Sequence, residues 1–196
     1  MSRTVLSRIA QIVHLLALAL WLGAVAMSGV VAAIVFPLMR TLEPTLASYP
    51  DYEGDHALLA AGRVASSVFF AVDTIQFICA TLALFTLAAL VAMGYTLNTG
   101  ARVLRVIVLC MTLALLSYHL FFFMPELTTT LNAYWNSAAD GNTQLADTFK
   151  DKFLESHSAA SNILGALALG VAMNLTLAAW TLTAAPGTGM NTEKQD

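Results

Sequence analysis

Asp73 is the sole charge in the apolar run from Val64 to Tyr95. At the middle of a bilayer a carboxylate costs about 3 kcal/mol on insertion scales, so it needs a partner. Gln76 lies three residues on, on the same helical face. Tyr118 and His119 close a third apolar run, and His157, Ser161 and Asn162 open a fourth. If these runs pack as antiparallel helices, all seven side chains fall into one polar layer, with Glu126 just above it. A carboxylate beside imidazoles can be a structural clasp, since hydrogen bonds between spans contribute roughly 0.6–2 kcal/mol each. The same groups could form a polar pocket that binds a metal, a cofactor or protons, or line a conduction path, as ionisable residues inside a membrane commonly do. Both readings stay open at this point.

Two sharper chemistries use the same residues. His119 and His157 could hold a haem b between two imidazoles in a helical bundle. No CxxCH motif is present, so such a haem would be non-covalent. A copper site would add soft thioethers, and Met27, Met39 and Met124 fall toward the same ends of the first and third runs. Each Met also reads as apolar filling. Cys79 and Cys110 sit inside apolar runs with no CxxC or Cys/His spacing, and read as small buried hydrophobes rather than zinc ligands or a disulfide. No GxSxG elbow, P-loop or HExxH is present, so no catalytic residue is assigned. His56 lies in a polar stretch and reads as solvated.

The elements that must position these groups are membrane spans. The chain has 196 residues, 58% hydrophobic and 11% charged, where soluble domains carry about 25% charge. Four segments reach the roughly 20 residues a spanning helix needs: Ile9–Leu38, Val64–Tyr95, Leu104–Met124 and about Ala159–Leu182. None alternates with period two, so they read as helices and not barrel strands. The expectation is an all-α integral membrane four-helix bundle, one domain over residues 1–196, with an extended fourth helix. The first two spans exceed the need and should tilt or project. Arg3, Arg8 and Ala24-Val25-Ala26 imitate a signal peptide. The apolar run continues to Leu38, about twice a signal core, and reads as an uncleaved span. No nucleic-acid partner is expected; the bilayer is the partner, with a homo-oligomer or larger membrane complex open.

Charge sets the orientation. Arg3, Arg8, Arg102, Arg105 and Lys194 lie in the termini and the short second connection, with only Glu193 and Asp196 as acids. The two long connections hold four basic residues and nine acids. The basic excess predicts cytoplasmic termini in an inner membrane. The first long connection, Arg40 to Arg63, carries Pro44, Pro50 and a polar DYEGD stretch. The second, Pro125 to about Ser158, carries a helical stripe at Leu145, Phe149, Phe153 and His157, which should run unbroken into the fourth span. Tyr134 and Trp135 read as interfacial aromatics. Pro186 and Gly187 mark the end of that span, with a frayed tail after it. Small residues in span one (Gly23, Ala24, Ala26, Ser28, Gly29) and span four (Gly165, Ala168, Gly170) permit close helix approach.

The segment HLLALALWLGAV, with His14 and Trp21-Leu22-Gly23, resembles the opening helix of small four-helix membrane proteins. These include the copper-resistance-D-like proteins and the transmembrane-protein-205-like family, which has no settled activity. KFLESHSAASNI, with Phe153, His157 and Ser161 or Asn162, is similar to the start of the latter family's last helix, and Pro125-Glu126-Leu127 fits its outer loop. The resemblance implies a four-helix bundle and singles out His14, Trp21 and His157. Its copper branch would imply metal uptake. The haem-dependent protoporphyrinogen oxidases have a similar first span with His14 at the matching position, which makes His14 a further cofactor candidate. Three roles are therefore carried forward: transport or envelope maintenance through the polar pocket, haem or copper binding, and an accessory subunit of a larger complex.

Overall fold

The computed structural model describes residues 2–183; the expected end of span four at Pro186 and Gly187 lies outside them. Within them the chain forms α1 (Arg3–Leu42), α2 (His56–Ala92), α3 (Gly100–Tyr118), a π turn (His119–Phe123), α4 (Met124–Ala139) and α5 (Thr143–Thr183). No proline interrupts α2, α3 or α5, and three helices start on side-chain caps, α5 on Asn142, whose Oδ1 accepts from the Leu145 N–H at 3.1 Å. Ser2 Oγ accepts from the Val5 N–H, and Asp55 Oδ1 accepts from the Leu58 N–H at 2.8 Å, each satisfying an orphan donor of the first turn.

Helix lengths dictate the architecture. α1, α2 and α5 have 40, 37 and 41 residues, or roughly 55–62 Å at 1.5 Å per residue. The hydrocarbon core is only about 30 Å thick. These three therefore overshoot a bilayer, and together with the continuous helical run Gly100–Ala139 they make four segments long and apolar enough to cross a membrane. The expected all-α membrane bundle is what forms. α1 lies along α2, α4 and α3 lie along α5, and α1 also meets α5.

Two apolar cores hold the bundle. The first joins Leu18, Trp21 and Val25 of α1 to Cys79, Ala83 and Leu87 of α2, Leu109 and Leu116 of α3, and Leu167 and Val171 of α5. The second lies at the end that carries the long connections. It joins Tyr49, Tyr52 and Leu59 to Tyr134, Trp135, Ala138 and Ala146. This is the capped end; the opposite one is the terminal end. Large apolar side chains such as Leu16, Phe70, Phe85, Met111, Leu169 and Trp180 point outward. In water such a surface would aggregate; facing lipid, it is the solvated state of a membrane protein.

The cap differs from the sequence reading in three ways. Tyr134 and Trp135 are buried in the second core rather than spread at an interface. Arg63 explains part of this: its guanidinium stacks 4.1 Å over the Trp135 ring, and its Nε donates to Tyr49 Oη at 3.1 Å. His56 is half-buried, not solvated. Its Nδ1 accepts from the Leu46 N–H at 3.1 Å and its Nε2 donates to the Tyr52 carbonyl at 2.8 Å, which folds the first connection onto the bundle. Pro125 does not open a loop, because the helix continues to Ala139. A proline inside an α-helix clashes with the carbonyl four residues back; the wider π turn immediately before it relieves that clash.

Cys79 is buried as expected, whereas Cys110 is exposed on the outer surface of α3.

Candidate functional site

Three helices meet at one hydrogen-bonded chain. Trp21 Nε1 donates to Gln76 Oε1 at 3.1 Å, and Gln76 Nε2 donates to Asp73 Oδ1 at 3.0 Å. His119 Nε2 stands 3.2 Å from the same Oδ1. A carboxylate is acceptor-only, so Nε2 is the donor. Trp21 and Gln76 are wholly buried and His119 nearly so. Asp73 thus has the partner its depth demands, and that partner comes from another helix. The π turn begins at His119 itself; such turns shift the phase of every following side chain and recur at functional sites. The His119 ring stacks on Phe123 of the same turn, with centroids 6.2 Å apart.

Trp21→Phe removes the donor and leaves Gln76 Oε1 buried without a partner. The expected loss is about 1–2 kcal/mol of stability, read as a lowered Tm in detergent; an unchanged Tm would show that the bond contributes nothing.

Above this chain, toward the capped end, lies a cavity of about 450 Å³ bordered by α1, α2, α4 and α5. That volume is within the range of small-molecule sites, about 300–1,000 Å³. It fills the gap between the two cores. Its walls are mostly apolar, with Val72, Phe69, Leu127, Leu131, Phe153 and Leu164 among them, and the polar side chains on it include Asp73, His119, His157, Ser161 and Lys150. Four of the seven predicted pocket residues therefore border one space: Asp73, His119, His157 and Ser161. Gln76 lies directly beneath it, bonded to Asp73. Tyr118 does not reach it, being half-exposed on the outside of α3 and stacked toward Phe122, and Asn162 is exposed and away from it. Each residue on a helix is turned about 100° from the last, and here that turn carries Tyr118 and Asn162 off the wall that His119 and Ser161 line.

The metal candidates do not assemble. Met124 borders the cavity, but Met27 is exposed and Met39 lies off it. Among the described residues, no three His, Cys, Asp or Glu side chains come together as a metal site.

Sequence reasoning missed Lys150, Trp135 and Tyr134 on the capped end of the cavity. Lys150 is bonded to Asp147, and that bond holds its ammonium above the ordinary lysine range. Burial, followed by the bond to Tyr52, pushes the Tyr134 phenol up, so it stays neutral.

At the terminal end a second polar group is separate from the cavity. His14 is wholly buried, with Nδ1 3.0 Å from the Ala83 carbonyl and 2.9 Å from Thr86 Oγ1. His14 and Trp21, the two α1 positions set apart by the motif, thus both fasten α1 to α2. Arg105 is buried beside Tyr95 and Thr181, each 3.4 Å from Nη1.

Comparison with protein-family models, with curated proteins and with solved structures finds no match. The functional reading therefore rests on this geometry.

Proposed function

We propose that this chain is a multi-pass inner-membrane protein that takes a lipophilic molecule into the cavity, in the service of transport or envelope maintenance. One observation carries the reading: an apolar space of ligand size, bordered by every long helix, has an intramembrane carboxylate–imidazole pair on its wall. Largely apolar pockets with a few convergent polar groups are the usual form of small-molecule sites. Arg3, Arg8, Arg102 and Arg105 all belong to the terminal end, which supports cytoplasmic termini and an outward-facing cap.

Trp135 borders the cavity, whereas Trp180 is exposed to lipid. In a Trp180→Phe background, an amphiphile with a brominated chain should therefore quench the remaining tryptophan fluorescence saturably. Quenching that rises linearly with probe and never saturates would be bulk partitioning, and would end the proposal.

A further inference from the structure

The cavity is a slot. Its walls run from Val25 to Phe36 on α1, Leu58 to Asp73 on α2, His119 to Trp135 along the π turn and α4, and Lys150 to Ala168 on α5. At 1.5 Å per residue these stretches cover roughly 16–27 Å of bundle axis. A volume of about 450 Å³ spread over roughly 20 Å of axis makes the space long and narrow, the shape of a single extended chain.

Both ends are blocked. Trp21, Gln76 and the first core lie below, and the Tyr52–Tyr134–Trp135 cluster lies above. The exposed wall residues are concentrated on two helices, with Ala26 and Gly29 on α1 and His157, Ser161 and Gly165 on α5. The way in is sideways, between α1 and α5. A Cβ built at Gly29 or Gly165 meets no atom within 4 Å, so this mouth is open space.

The deep end sets the chemistry of the head. Asp73 Oδ1 accepts from both Gln76 and His119, while Oδ2 takes no hydrogen bond from the protein. The Asp73 side chain borders the cavity, so its unbonded oxygen calls for a donor. An anionic head would meet the Asp73 carboxylate in a medium that screens poorly.

We propose that the slot binds one single-chain amphiphile drawn laterally from the bilayer, with a hydrogen-donating head, a hydroxyl or an amine, at Asp73. This rests on the reading of the cavity as a lipophilic-ligand site. The chain lies along the slot toward the capped end, against Phe69, Leu127 and Phe153. A hydroxyl and an amine share the donor chemistry; they differ in charge.

The test uses the full chain in nanodiscs, with the brominated probe bound at about pH 8, where a free carboxylate is ionised and an alkylamine protonated. Myristyl alcohol, myristylamine and myristate compete against it. The alcohol, the amine or both should displace the probe at least about tenfold better than myristate, a difference of about 1.4 kcal/mol. The better of the two identifies a neutral or a charged head. Gly29→Leu and Gly165→Leu fill the mouth without meeting the fold, and each should weaken saturable quenching at least about tenfold at unchanged helix content. Equal displacement by all three competitors overturns the head assignment and leaves the lipophilic cavity standing. Saturable quenching that neither glycine variant weakens overturns the slot. No saturable quenching by the probe overturns both this inference and the function it rests on. A dimer that the probe dissociates would put a second copy of the chain in the mouth, and would also overturn it.

Discussion

His119→Leu should lower the unfolding free energy of the bundle by about 2–4 kcal/mol. The variant leaves Asp73 with the Gln76 amide as its only donor, and breaking a buried pair by removing one partner typically costs about 3–5 kcal/mol. The lower figure allows for partial access to Asp73 from the cavity, its side chain being 15% exposed. Asp73→Leu should cost less, about 1–3 kcal/mol. It orphans two buried donors, His119 Nε2–H and Gln76 Nε2–H, but it also takes a carboxylate out of the hydrocarbon. The double variant decides the matter. If the pair clasps α2 to α3, its cost falls at least about 1 kcal/mol short of the sum; additivity within about 0.5 kcal/mol means no coupling. Unfolding in mixed micelles, followed by circular dichroism, supplies all four corners. An Asp73→Leu protein that is as stable as the parent, or more so, yet no longer binds the probe, would assign Asp73 to the cavity alone.

The clasp reading and the site reading need not compete. Oδ1 of Asp73 is committed to Gln76 and His119, Oδ2 takes no hydrogen bond from the protein, and the side chain borders the cavity. One oxygen holds helices together and the other is left for a ligand. The Trp21–Gln76 bond stiffens the arrangement from the third side, because Gln76 cannot rotate toward the cavity without abandoning a buried indole N–H.

How much of this was written in the sequence depends on what each residue's position obeys. The four spans follow from apolar run length, which the bilayer fixes, and the unbroken entry into α5 follows from the four-residue recurrence of Leu145, Phe149, Phe153 and His157. The Asp73–His119 contact follows from the alternating direction of the spans, which brings the middle of α2 level with the end of α3. Rotation about each axis follows from neither. That is why the sequence alone does not separate Tyr118 and Asn162 from the cavity-lining residues beside them. The π turn after Tyr118 adds a phase change with no signature other than the proline at its end. The cap was illegible for another reason. Its Tyr49–Arg63–Trp135 stack and its His56 bonds join residues far apart in sequence, without periodicity. The cavity itself is missing side-chain volume, and no motif marks a void. Gly29, Gly165 and Gly170 read alike as small packing residues, yet the first two border open space and the third does not.

Gly170→Leu should be the most damaging single change among the helical glycines, at about 3 kcal/mol or more. A Cβ at Gly170 would sit 2.5 Å from Thr112 Oγ1 and 3.3 Å from its Cγ2, closer than van der Waals contact allows. Thr112 has little freedom to yield: it is buried in α3, and its hydroxyl donates to the Val108 carbonyl at 2.7 Å. The helices must therefore separate. α3 and α5 pack closely here, and in lipid they have little hydrophobic drive to reseat, since the acyl chains solvate whatever is exposed. Overpacking of this kind costs about 1–3 kcal/mol for a few added carbons. Opposing it, Gly→Ala inside a helix gains about 1 kcal/mol of backbone entropy. Gly170→Ala should thus be destabilised by only about 0–2 kcal/mol. Adding Thr112→Ala removes both clashing atoms and forfeits only a hydrogen bond within α3. The pair Gly170→Ala/Thr112→Ala should therefore be more stable than Gly170→Ala alone, and within about 1 kcal/mol of the parent. A Gly170→Leu protein with the parent's Tm would mean that α5 does not approach α3 this closely. By contrast, Gly165→Leu, five residues earlier on the same helix, should leave the Tm within a few degrees, because its side chain enters the mouth of the cavity instead of a neighbouring helix.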